Sequence, residues 1–132
     1  MIDYAFLQSL DFSVAWTYLP VLLGGLLINV LLTAIGFLCG GIVVGTTLAL
    51  ANLSSHRIIR WPALAFVEFW RSTPLLVQAI WVHFAVPGLT GIATSPFQSA
   101  SIALIFNVAA YCSEIIRGGI LGVGKGQFEA AR

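Results

Sequence analysis

Between Asp11 and Arg57 the chain reads FSVAWTYLPVLLGGLLINVLLTAIGFLCGGIVVGTTLALANLSSH, residues 12–56, which is 45 consecutive positions without a formal charge. A second charge-free stretch of 42 positions separates Arg71 from Glu114. A membrane-spanning helix needs about 20 mostly apolar residues, so each stretch has room for at least one. The rest of the composition agrees. Of 132 residues, 59% are hydrophobic and 8% charged, where soluble domains carry ~45–50% and ~25%. With six Lys/Arg, five Asp/Glu and a mean hydropathy of +0.99, the chain has too few charges to cover its own surface in water. A net charge of +1 also excludes electrostatic nucleic-acid binding, which needs clustered Lys and Arg. The expected fold class is an all-α integral membrane protein with three transmembrane helices.

The first span is expected over about residues 20–52. Pro20 suits a first helical turn, where its missing N–H would be unpaired anyway. Thirty-three residues make ~50 Å of helix, more than a ~30 Å hydrocarbon core requires. The segment should therefore tilt, bend near Gly24-Gly25, or begin as an interfacial elbow. Gly36–Gly40 and Gly41–Gly45 are small-xxx-small spacings that admit a second helix closely. The second span is expected over 62–87, with a kink at Pro74 that frees a backbone carbonyl about one turn earlier. Trp61 and Trp70 suit the interfacial belt. Val86–Pro96 carries turn signals and no charge, which predicts an outer loop. The third span is expected over 97–117.

Arg57 and Arg60 in the first loop, and Arg117, Lys125 and Arg132 in the tail, predict cytoplasmic placement of both. The N-terminus, with Asp3 and Asp11 and nothing basic, is then outside, and the absent basic n-region argues against a cleaved signal peptide. Cys39 and Cys112 lie in apolar runs and read as small buried hydrophobes. His56 and His83 are isolated, so no metal site is expected. Gly119–Lys125 matches G-x-x-x-x-G-K, but Gly126 stands where a P-loop requires Ser or Thr, and no strand precedes it. No catalytic set stands out, so the chain is not expected to be an enzyme.

Polar groups inside a span are costly and each needs an account. Asn107, Tyr111 and Glu114 share one helix face by their spacing. That face reads either as the lining of a translocation pathway or as interhelical hydrogen bonding with a Glu114–Arg117 pair at the interface. Glu68 and Arg71 form a similar i, i+3 pair, and the four residues Glu68, Arg71, Glu114 and Arg117 are candidates for a charge network at the inner leaflet.

Phe66-Val-Glu-Phe-Trp-Arg71-Ser-Thr-Pro74-Leu-Leu-Val-Gln78 resembles the second-span signature of permease subunits from polar amino-acid ABC importers. Tyr111-Cys-Ser-Glu114-Ile-Ile-Arg117-Gly-Gly119 resembles their third-span signature, and Lys125-Gly-Gln-Phe-Glu129-Ala-Ala-Arg132 the start of their cytoplasmic EAA loop. The resemblance covers the chain from about Pro20. It implies the first part of a five-span fold, a single transmembrane permease domain over 1–132 with the start of a coupling loop at 118–132. It further implies a second permease subunit, identical or related, separate ATPase subunits, an external amino-acid-binding protein, and a bacterial inner membrane. No cofactor is implied on this chain, because ATP and Mg belong to the ATPase. Lys125, Gly126, Glu129, Ala130 and Ala131 would be the ATPase-coupling residues. Asn107, Tyr111, Glu114 and Arg71 are the candidates to line the pathway or touch substrate. Gly124 replaces the family's usual Pro, which loosens the entry to the coupling helix. Because the chain stops at Arg132, a C-terminally truncated permease is expected. The alternative is a non-transporting membrane protein that pairs with a permease or an ATPase.

Overall fold

The computed structural model describes residues 13–124, all of whose regular elements are helical. The described residues fall into two compact units, divided between Leu31 and Leu32. In the first, helix α1 (Ser13–Thr17) is followed by the start of α2 (Leu19–Ile35), and every described residue is exposed. Such a surface fits lipid, since the apolar side chains of Val21, Leu22, Leu23, Leu26 and Leu27 are all exposed. Asn29, the polar residue in this run, donates its Nδ2 to the Gly25 carbonyl at 3.0 Å and so remains paired within its own helix.

The helical run Leu19–Leu53 continues unbroken through Gly24-Gly25, and a Cβ added at either glycine would meet nothing within 4 Å. The bend expected there is therefore replaced by an irregularity further on. Gly36–Gly45 is wound as a π-helix before α3 (Thr46–Leu53) resumes α geometry. The wider winding coincides with close approach to another helix, a setting in which π segments recur.

In the second unit, α4 (Arg57–Ser72), α5 (Leu75–Thr90) and α6 (Pro96–Gly122) follow. Helix α6 is the centre: the π segment, α3, α4 and α5 all pack on it. Its buried positions Ala103, Ala109, Ala110 and Ser113 are small, which allows backbones to approach. Gly36, Gly40, Gly41 and Gly45 are buried on the facing side. A Cβ at Gly40 would collide with the Ile105 carbonyl oxygen and lie 2.9 Å from its Cα; one at Gly45 would be 3.0 Å from Cys112 Cβ. The two glycine spacings are thus a helix-packing seam.

The expected second span is two helices rather than one kinked rod. Their axes bend by 108° at Thr73-Pro74. Thr73 is extended (φ −108°, ψ 132°), the conformation that a following proline imposes. Among the described residues, two helices are long and apolar enough to cross a membrane, and there are up to three spans if the bent pair counts as one. Helix α5 runs through Pro87 to Thr90 and ends at Gly91 in left-handed geometry (φ 73°), so the expected loop 86–96 shrinks to five residues. Ser95, Pro96 and Gln98 then start α6 with a complete capping box.

Gly40→Ala is expected to destabilise the chain by about 1–3 kcal/mol through overpacking. Gly24→Ala should be neutral or stabilising by up to ~1 kcal/mol from helix propensity. Equilibrium unfolding in micelles checks both, and equal losses at the two positions would refute the seam.

Candidate functional site

The site begins with what proline removes. Pro74 has no N–H to return to the Trp70 carbonyl one turn back. Where water is scarce, that oxygen needs another donor. Gln78, on the first turn of α5, supplies it: Nε2 donates to the Trp70 carbonyl at 2.6 Å and to the Thr73 carbonyl at 2.8 Å. Its Oε1 accepts from Asn107 Nδ2 on α6 at 3.1 Å. Gln78 is buried, with 2% exposure, and both amide hydrogens are used. One amide therefore closes the break and ties it to α6. Phe69's carbonyl, also at the break, accepts from the Ser72 and Thr73 hydroxyls at 3.1 and 3.0 Å.

Around this amide the aromatic rings pack. Phe66 meets Phe106 edge-on, with centroids 5.5 Å apart, and Trp70 lies 5.1 Å from Phe106. Trp70 is buried in the core, so it does not belong to an interfacial belt; Trp61 is 66% exposed. Trp70 faces inward because Ala63, Val67 and Trp70 recur at i, i+4, i+7 on the face of α4 turned to the protein. Inside the elbow, a cavity of about 200 Å³ is lined by Phe69, Trp70, Thr73, Val77, Gln78 and Trp81.

The polar face of α6 meets the bent pair residue by residue. Asn107 is engaged by Gln78, and the Tyr111 ring lies 5.6 Å beneath the Arg71 guanidinium. Glu114 and Arg117 form a bidentate ion pair at 2.8 and 3.1 Å. Of the four candidate network charges, Glu114 pairs with Arg117 and lies within electrostatic reach of Arg71, which sits on Tyr111, while Glu68 is exposed without an ion pair among the described residues. Asn107, Tyr111 and Glu114 do share a face, yet each has a partner within the subunit. Lys125, Gly126, Glu129, Ala130 and Ala131 lie outside the described residues. Gly119–Gly122 are the last turn of α6, so the P-loop-like run begins as helix.

Two groups had no signal in the sequence. His83 Nδ1 is 2.9 Å from Ser99 Oγ, which also lies 2.8 Å from Thr94 Oγ1 and donates to the Ser95 carbonyl. A hydroxyl has one hydrogen and two lone pairs. One hydroxyl can therefore hold all three contacts at once. This cluster joins the C-terminal half of α5 to the first turn of α6, and only the hairpin brings residues 83 and 99 together. Asn52 is the other: it is buried, and neither of its side-chain polar atoms has a partner among the described residues. Among the described residues no group of three or more His, Cys, Asp or Glu could hold a metal.

Gln78→Leu leaves the buried Trp70 carbonyl, the part-buried Thr73 carbonyl and the Asn107 amide without this partner, and is expected to cost more than about 2 kcal/mol of stability. Asn107→Leu removes one interhelical bond and should cost only about 0.5–1 kcal/mol. Unfolding of the two variants in nanodiscs tests the order, and a larger loss for Asn107→Leu would refute Gln78 as the clamp.

Comparison with known proteins agrees with this architecture. Residues 41–132 match the family model described as the binding-protein-dependent transport system inner membrane component. The chain is 39% identical over 124 residues to the arginine transport system permease protein ArtQ of Bacillus subtilis, covering 94% of this chain and 56% of that protein. It is 43% identical over 114 residues to the L-cystine transport system permease protein TcyB of the same organism, covering 86% and 48%. Against the glutamine transport system permease protein GlnP of Escherichia coli it is 34% identical over 124 residues, covering 93% and 56%. A crystal structure of an amino acid ABC transporter with histidines superposes with a TM-score of 0.84 at 35% identity, over 94% of this chain and 57% of that one. The chain spans about half the length of the curated relatives it matches. With the family model covering most of its length, the chain belongs to the binding-protein-dependent transport system inner membrane components.

Proposed function

We propose that the chain is a membrane-spanning part of an ATP-driven amino-acid importer of the bacterial inner membrane. In this reading it contributes one wall of the translocation pathway. The single observation that carries it is the α6 face packed against the bent pair at Thr73-Pro74, in a chain whose relatives are named as arginine, cystine and glutamine permeases. Asn107 is committed to Gln78 and acts as support. Arg71 and Tyr111 are exposed and Glu114 is half-buried, so these three are the side chains left to line a pathway. Arg71 offers a cation for an α-carboxylate and Glu114 an anion for an α-ammonium.

The partners in this proposal are a second permease subunit, an external amino-acid-binding protein and two ATPase subunits. ATP and Mg bind the ATPase, and this chain is not an enzyme. Coupling runs through Lys125, Gly126, Glu129, Ala130 and Ala131. The two alanines allow close docking, and Glu129 supplies a carboxylate for a charge-assisted hydrogen bond.

The test is transport of labelled arginine, glutamine and cystine into vesicles carrying the chain with its partner permease, ATPase and binding protein. ATP-dependent uptake of at least one of them is expected. Assembly with the ATPase without uptake of any of them would overturn the transport reading in favour of a pairing protein. Glu129→Ala should lower substrate-stimulated ATP hydrolysis by roughly 10-fold or more, the loss of one charged hydrogen bond of ~1.5–3 kcal/mol. Unchanged hydrolysis in an intact assembly would remove Glu129 from coupling.

A further inference from the structure

Helix α4 has three separate faces. At 100° per residue, Arg57, Arg60, Glu68 and Arg71 fall within an arc of roughly 80°. Ala63, Val67 and Trp70 form a second stripe, and this one is buried against the protein. Ile58, Pro62 and Phe69 form a third, apolar and exposed, with Ile58 at 89% and Phe69 at 53%. The charged and the exposed apolar stripes are centred about 140° apart, with the protein-facing stripe closing the circle. Trp61 lies at the border between charge and apolar surface. This is the division a helix needs when it lies flat between hydrocarbon and headgroups, where an indole marks the boundary.

The bend gives the orientation. Helix α5 has no charged side chain and is apolar along its length, whereas α4 carries four charges, and the two meet at 108°. Sixteen residues of α5 rise ~24 Å, and the extended Thr73-Pro74 pair adds ~6 Å, close to a ~30 Å hydrocarbon core. With α5 crossing, α4 is turned nearly into the membrane plane. Arg57 and Arg60 are exposed in its first turn, where no acidic side chain accompanies them and the helix dipole opposes them. Among the described residues neither has an ion pair.

We propose that α4 is an in-plane interfacial helix whose Arg57 and Arg60 bind the phosphates of anionic lipids, with Ile58, Pro62 and Phe69 set among the acyl chains. The proposal rests on membrane residence and is independent of the transport reading. Charge complementarity supplies the occupant: Arg57 and Arg60 are exposed cations with no acidic side chain in their turn, matched to the negative headgroups that a membrane-resident chain meets at its interface.

The chain in nanodiscs tests it. Nitroxide labels at Ile58→Cys, Arg60→Cys and Phe69→Cys, in a Cys39→Ala, Cys112→Ala background, report accessibility to oxygen and to a water-soluble nickel chelate. Oxygen is expected to dominate at 58 and 69 and nickel at 60. Nickel dominating at all three would overturn the proposal in favour of a water-exposed or protein-docking face, and oxygen dominating at all three in favour of a crossing helix. Retention of phosphatidylglycerol over phosphatidylcholine after purification from a mixed bilayer is the second readout. Arg57→Gln and Arg60→Gln should each lower that preference about fivefold, following the attraction of one basic residue to an anionic surface. An unchanged preference in the double variant, with the fold intact by circular dichroism, would overturn the lipid assignment.

Discussion

Everything in the second unit turns on a carbonyl oxygen. Pro74 takes away the donor that Trp70 would otherwise have, and a membrane interior offers little water as a substitute. Gln78 answers that demand at 2.6 Å, and the geometry needed to reach back fixes where α5 starts and how sharply it turns. Because the same amide accepts from Asn107, the break is also fixed against α6. One missing N–H thus specifies a bend, a helix pairing and the placement of Phe66, Trp70 and Phe106 around it.

The glycine seam does for the first half of the unit what the amide does for the second. Helices in lipid gain little from burying apolar side chains, since hydrocarbon surrounds them already. Contact must come from backbone proximity, and Gly40 against Ile105 shows how near that is. The small residues on α6, Ala103, Ala109 and Ala110, are the complementary half. This explains why small residues line the seam in a chain so rich in large ones: buried large side chains such as Trp70 gather at the elbow instead, and many others are exposed.

Much of this was legible in the sequence, for particular reasons. The glycine spacing and the proline break are local features with fixed steric consequences, so both could be read from one segment. The size of the bend could not, because it depends on what caps the freed carbonyls. Gln78 stood in the motif that carried the family resemblance without a role, since a side chain that reaches back eight residues to Trp70 is visible only in three dimensions. Trp70 was misassigned to the interface because its neighbours in sequence, Phe69 and Arg71, are exposed, while helical geometry turns Trp70 alone inward. The His83–Ser99 contact and buried Asn52 are long-range outcomes with no periodic or motif signal. For Glu68, Arg71, Glu114 and Arg117 the sequence suggests a shared depth, but not that Arg71 rests on Tyr111 beside the Glu114–Arg117 pair while Glu68 has no ion pair among the described residues.

A proline between two helices invites the reading of a hinge, and the hydrogen bonds argue the opposite. Opening or closing the angle at Thr73-Pro74 would lengthen two bonds from one buried amide and strand carbonyls in a low-dielectric setting, where an unpaired polar group is costly. Swinging α5 alone would also break the Asn107 bond to α6. The cheapest motions keep α4, α5 and α6 together, as packed elements shift between discrete arrangements rather than flexing continuously. The last helix then carries any displacement of its C-terminal end to the elbow as a rigid body, and the glycine seam, which relies on backbone proximity, is where such a body can shift.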